Sequence, residues 1–177
     1  MWVYILLSVL IVIITVIFVV IVVNINKFQA LNIKINEAEE NIGLLLNEKY
    51  DLLYKIGKIV KDESSDTFFD NLKDIVIEDI SKIELNKELS KYDAKIVELT
   101  DYNKDIKFDE DALKLFSDLE DVNIECAADE KYYNDNVEIY NKLVSQFPSS
   151  IIAKFKKCKH KDSYVNEKEE IFEIMKE

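Results

Sequence analysis

The chain has 177 residues and carries 35 Asp and Glu against 23 cationic side chains, a formal net charge of −12. All 23 cations are Lys, and an acidic chain without Arg lacks the usual bidentate ligand for phosphates and base edges, so nucleic acid is not expected as a partner. A single His excludes two-histidine zinc helices and most acid–base relays.

The first segment, "MWVYILLSVLIVIITVIFVVIVV", has no charge, no Gly and no Pro. As a helix it extends about 33 Å, against a hydrocarbon core of about 30 Å. A cleavable signal peptide needs a basic start, a shorter apolar run and a small-residue cleavage site, and none is present. Residues 1–24 therefore read as an uncleaved transmembrane anchor that meets the lipid bilayer through residues 2–23. The run holds no ionisable group and no small-xxx-small motif, which argues against a pore or a strong helix-dimer face. Lys27 and Lys34 follow the span and no Lys precedes it, which places the N-terminus outside and the following domain in the cytoplasm. Cys126 and Cys158 suit a reducing compartment, in a chain too large to need a disulfide.

Residues 25–161 read as a helical bundle and 162–177 as an acidic tail. From Phe28 the apolar positions run Leu31, Ile35, Ala38, Ile42, Leu45, Leu52, Ile56 and Ile59, a heptad seam with Lys49 as its polar occupant. "KDESSD" is the expected turn, with Ser65 or Asp66 as the next N-cap. Phe69, Leu72, Val76, Ile80 and Ile83 then slip phase into Leu85, Leu89, Tyr92, Ile96 and Leu99, which predicts a kink or break near Glu84–Lys87. Asp109 caps the last long helix, whose seam is Ala112, Phe116, Leu119, Cys126, Tyr133, Val137, Tyr140, Val144 and Phe147, interrupted at Asn123 and Glu130 and ended by Pro148.

The expected fold is all-α: a transmembrane helix, then an antiparallel up-and-down bundle of three long passes, or four helices if the middle break is counted. Residues 28–62, 66–101 and 109–146 would each extend about 50–57 Å. In that arrangement the first and third helices run parallel, Lys49 and Glu130 fall at similar heights, and the two are expected to pair inside the bundle.

Little in the sequence carries chemistry. "CKH" at 158–160, with His160, offers half a metal site at most, so no cofactor or metal is expected. No Gly-rich phosphate loop and no nucleophile elbow is present. The acidic side chains fall mainly on outward helical positions. "KFKKCKHK", 154–161, is the sole basic cluster. In the three-pass arrangement it lies at the membrane-distal end, where its lysines complement helix carbonyl ends; a hairpin in the middle segment would instead return it to the membrane and to anionic lipid. Ile171, Phe172, Ile174 and Met175 in the tail could dock on the bundle or on a partner helix. A homo-oligomer is compatible with the sequence and not required by it.

The dipeptide Tyr-Asn recurs at Tyr133-Asn134 and Tyr140-Asn141, seven residues apart on nearly one helical face. The tyrosines sit on the seam, and Asn134 and Asn141 beside it can bond across helices or face water. "YNDNVEIYNKLVSQFPSSIIAKF" resembles the C-terminal signature of the LemA family through Tyr133, Asn134, Val137, Tyr140, Asn141, Phe147, Pro148, Ile152 and Ala153. "NEAEENIGLLLNEKYDLLYKIGKIVKD" is similar to the family's first helix at Ala38, Ile42, Leu45, Asp51, Leu52, Val60 and Lys61. Departures are Tyr54-Lys55 in place of Pro-Asn, Asp129-Glu130 in place of Ala-Arg, and Tyr102-Asn103 in place of Tyr-Pro. The resemblance implies a bacterial, single-pass membrane protein with an up-and-down helical bundle, and it brings no catalytic residues. The expected function is a non-enzymatic membrane-tethered scaffold or protein-interaction module whose protein partner the sequence does not name. The alternative is an extracytoplasmic ligand-sensing or envelope-associated domain of reverse topology. A membrane-bound metal-dependent hydrolase is the third reading.

Overall fold

The computed structural model describes residues 1–64, 68–75, 77, 80–102 and 110–164, and among them every regular element is helical. The all-α expectation holds. The N-caps expected at Ser65, Asp66 and Asp109, the seam position Val76 and the tail residues 171–175 lie outside the described residues. Helix α1 (Trp2–Ser64) runs unbroken from the apolar segment into the first heptad seam. A 3-10 helix (Phe68–Asp74) follows, then α2 (Lys82–Tyr102), α3 (Glu110–Ser145) and α4 (Ser149–Lys156). The packing divides into two compact units, one of Met1–Glu37 with the chain from Tyr133, the other of Ala38–Tyr132.

In the unit of residues 38–132, Lys82 donates from Nζ to the Glu39 carbonyl at 2.8 Å, and Lys49 forms an ion pair with Asp93. Both contacts advance together along the two helices, so α2 runs parallel to α1. Asn86 meets Glu130 at 2.7 Å and Asp93 meets Asn123 at 3.4 Å, so α3 runs antiparallel to α2 and therefore to α1. This corrects the three-pass expectation, in which α1 and α3 were parallel. The 3-10 helix and the residues after it make the return along α1. Phe69 lies against Gly57, where an added Cβ would come within 2.6 Å of it. Ile77 and Ile80 line an open cleft of about 550 Å³ with Glu40, Gly43, Leu44 and Asn47, nearer the start of this stretch of α1.

The break in the middle segment comes earlier than Glu84–Lys87 because Ser81 starts α2. Its hydroxyl accepts from the Glu84 N–H at 3.2 Å and its carbonyl from the Leu85 N–H at 2.8 Å. Ser81 and Glu84 have the Ser-x-x-Glu spacing of a capping box. From there Leu85, Leu89, Tyr92 and Ile96 form the buried stripe of α2.

The other unit packs the buried stripe Phe28, Leu31 and Ile35 of α1 with Tyr133, Val137 and Tyr140 of α3. Phe28 and Tyr140 meet edge to face at 5.6 Å. Phe28 begins the buried stripe of α1, so the residues before Tyr140 must cover Leu31 and Ile35, and α3 is antiparallel to α1 here too. Residues beyond Tyr140 head toward the apolar run, where Val20, Asn24 and Ile25 are half-buried. A cis Phe147–Pro148 bond leads into α4, which buries Ser149, Ile152 and Ala153. Lys157, at φ 55°, ends α4 in a left-handed turn of the kind that usually takes Gly. The Cys158 N–H returns to the Ala153 carbonyl at 2.9 Å, and residues 158–164 run back along α3 outside regular structure.

Candidate functional site

The doubled Tyr-Asn of α3 grips that returning segment. Asn134 donates from Nδ2 to the Tyr164 carbonyl at 2.9 Å and accepts from the Tyr164 N–H at 2.8 Å. Asn141 does the same with Lys161, at 2.8 and 2.9 Å. Each amide thus pairs with both main-chain groups of one residue, as a neighbouring strand would. The geometry follows from two repeats. Seven helical residues advance about 10.5 Å and three extended residues about 10 Å, so equivalent backbone groups fall opposite both amides. The earlier of the two Asn holds the later residue, so the segment runs antiparallel to the helix.

The tyrosines complete the clamp. The Tyr133 hydroxyl donates to the Asp162 carbonyl at 3.1 Å, and its ring meets buried Tyr164 edge to face at 5.0 Å. Tyr140 lies under Lys161, whose ammonium is 5.8 Å from the ring centre. Burial, then contact with the Cys158 thiol, pushes the Tyr140 hydroxyl up to about 12, with Asn32 opposing. Ser145 and His160 are 3.2 Å apart at the outer edge. Tyr133, Val137 and Tyr140 are buried as the seam requires. Asn134 and Asn141 take a role the sequence reading did not contain, on main chain rather than on another helix or water. Tyr164 and Lys161 did not stand out in the sequence; the matched rises were the available signal.

Phe147 departs from the seam. It is 81% exposed, because α3 ends at Ser145 and the period does not continue past it. Pro148 is exposed beside it and Ala153 is buried. Of the first-helix residues, Leu52 is buried and Asp51 exposed.

A second polar cluster lies in the unit of residues 38–132. Lys49 is buried, as its seam position implies, but it pairs with Asp93 rather than with Glu130. The direct Lys49–Glu130 pair fails because α2 supplies the nearer carboxylate. Glu130 accepts instead from Asn86 at 2.7 Å and from the Cys126 thiol at 3.3 Å. Burial raises the Glu130 carboxyl, opposed by Cys126, Lys49 and Asn86. Burial and then the Glu130 charge push the Cys126 thiol up to about 12, so at neutral pH it is a thiol, the inert form, and not a nucleophile. Among the described residues no group of three or more His, Cys, Asp or Glu could hold a metal ion.

Fold and site together define an all-α protein in which paired asparagines on one helix fasten an extended segment, and among the described residues one helix, the N-terminal α1, is long and apolar enough to cross a membrane. A family model described as LemA matches residues 74–174, more than half the chain, and the protein belongs to the LemA family. The match takes in the doubled Tyr-Asn, the clamped segment and α4, and begins after the first-helix likeness at residues 38–61. No curated protein matches the chain.

Proposed function

We propose that the protein is a membrane-tethered helical module that acts by holding other proteins rather than by catalysis. The observation that carries the tether is the start of α1. Its apolar run holds no charged side chain, and none of its residues is buried. Polar side chains in and just after it are satisfied within the same helix: Ser8 donates to the Ile5 carbonyl at 2.8 Å, Thr15 to Ile11 at 2.9 Å and Asn24 to Val20 at 2.8 Å. Hydrocarbon tolerates only such internally paired groups. Lys27 and Lys34 favour the cytoplasmic side for the packed residues.

Membranes carrying the full chain are washed with alkaline carbonate, which strips peripheral proteins. Retention is expected, and release would overturn the tether. The same cells test orientation with an impermeant maleimide, since Cys158 is half-buried while Cys126 is buried and fully protonated. Labelling of Cys158 only after lysis is expected; labelling of intact cells would favour the reverse topology. The interaction role is supported by the inert Cys126 and by large apolar side chains left exposed on the helices, such as Leu44 and Ile124. Photo-crosslinkers placed at those two positions in cells should yield adducts with other proteins, and their absence at both would sink that role.

A further inference from the structure

The end of α3 and the whole of α4 form a surface that neither the clamp nor the tether uses. Phe147, Ile151 and Phe155 are 81%, 49% and 85% exposed. Their four-residue spacing puts Ile151 and Phe155 on one face of α4, with Phe147 just before it. Lys154, Lys156, Lys157 and Lys159 around them are exposed as well. Residues 139–161 hold six Lys and no Asp or Glu, in a chain whose net charge is −12, so this stretch is a cationic island on an acidic protein.

Its position follows from the direction of α3. Tyr140 meets Phe28, which lies five residues, or about 7.5 Å of helix, past the end of the apolar run at Val23. Ser145, the last residue of α3, lies five residues beyond Tyr140 toward that run, about 7.5 Å, which brings the end of α3 level with the boundary of the run, and Phe147 follows two residues on. The face is held there from both sides. Ser149, Ile152 and Ala153 are buried behind it, and the Asn141–Lys161 clamp fastens the chain that leaves it.

From this we propose that α4 and Phe147 lie in the headgroup layer of an anionic lipid bilayer, the one that residues 2–23 cross, with the aromatic and aliphatic side chains inserted and the lysines on lipid phosphates. Apolar side chains beside clustered lysines are the composition of interfacial helices, and the attraction of each Lys to anionic lipid decays within a Debye length of about 8 Å, which this placement satisfies. The inference rests on the tether reading above, and its test separates the two.

The full chain is reconstituted in phosphatidylcholine vesicles with or without roughly 30% phosphatidylglycerol. Trp2 is the sole Trp, so two reporters are made in a Trp2→Phe background, Val12→Trp for the span and Phe155→Trp for α4. Lipids brominated at mid-chain should quench the position-12 indole in both vesicles. Lipids brominated near the headgroup should quench the position-155 indole, and shield it from aqueous acrylamide, only when phosphatidylglycerol is present. Adding Lys154→Gln, Lys156→Gln and Lys157→Gln should abolish that quenching and leave position 12 unchanged. An unquenched position 12 would overturn the tether and this inference with it. A quenched position 12 with a position 155 equally open to acrylamide in both vesicles would overturn the inference alone. Shielding of position 155 without lipid quenching would overturn it in favour of a protein partner or a second copy. Quenching of position 155 that ignores phosphatidylglycerol would overturn the role of the lysines.

Discussion

The unit of residues 38–132 holds its polar interior with charge: the Lys49 ammonium on Asp93, and the Glu130 carboxylate among Asn86, Cys126 and the field of Lys49. The unit formed by residues 1–37 and the chain from Tyr133 uses neutral amides, each closing on one residue's N–H and carbonyl. The contrast shows two ways of specifying structure. A buried ion pair depends on which side chains meet and must overcome desolvation, so loss of one partner is costly. An amide on main chain is indifferent to the residue it holds and needs only matching repeats of helix and extended segment. The first device selects helix partners; the second fastens a segment by its main chain.

The largest effect tests the charged side of that contrast. Lys49→Met keeps the volume of the side chain and strands Asp93, which retains Asn123 and 22% side-chain exposure. The cost should fall at the lower end of the usual range for a broken buried pair, about 3 kcal/mol. Denaturation of the full chain in mild detergent, followed by helical circular dichroism, measures it. Replacing both partners, Lys49→Met with Asp93→Leu, should recover most of that loss, because the desolvation of both charges disappears. A double variant as unstable as the single one would mean that packing, and not charge, holds these helices.

The clamp should respond locally. Asn134→Ala removes two neutral hydrogen bonds, worth about 2 kcal/mol together, so the Tyr164 amide should exchange with solvent about 30-fold faster. Amides of the buried α1 stripe at Phe28, Leu31 and Ile35 should keep their rates. Equal acceleration in both places would make the clamp part of the cooperative core instead of a fastening laid on it.

The sequence shows the elements better than their directions. The uncharged run, the seam of α1 and the burial of Tyr133, Val137 and Tyr140 were all legible, because 3-4 spacing reports a buried helical stripe wherever the helix persists. Phe147 marks the limit, since periodicity counted past Ser145 assigns burial to a residue no longer on the helix. Phe69 and Leu72 mislead in the same way: the spacing is helical, yet both lie in a 3-10 helix whose Phe69 is pressed onto Gly57. That substitution reversed α3 and moved the partner of Lys49 from Glu130 to Asp93. Ser81 and Glu84 carried the local sign of the true start of α2. Lys49 itself was legible as a buried polar residue, whereas its partner depended on which helix lay alongside.

Glu130 gives the smallest test and the one that separates the two units by pH. Burial raises its carboxyl above the usual 4.5, and Cys126, Lys49 and Asn86 offset this without cancelling it. Between 4.5 and the raised value the folded chain binds more protons than the unfolded one. The contribution of Glu130 to stability is therefore full below 4.5 and is lost as pH rises through the folded value. Glu130→Gln retains an oxygen to accept from Asn86 and removes the titration. The variant should melt higher than the parent at neutral pH, match it below about 4.5, and lack the parent's decline between those limits. The amide pairs at Asn134 and Asn141 do not titrate, so exchange protection at Tyr164 should follow the same course in parent and variant once corrected for the intrinsic pH dependence of exchange. A parent whose melting temperature stays level across that window would show that Asn86, Cys126 and Lys49 compensate the buried charge fully, leaving the two units alike in their response to pH.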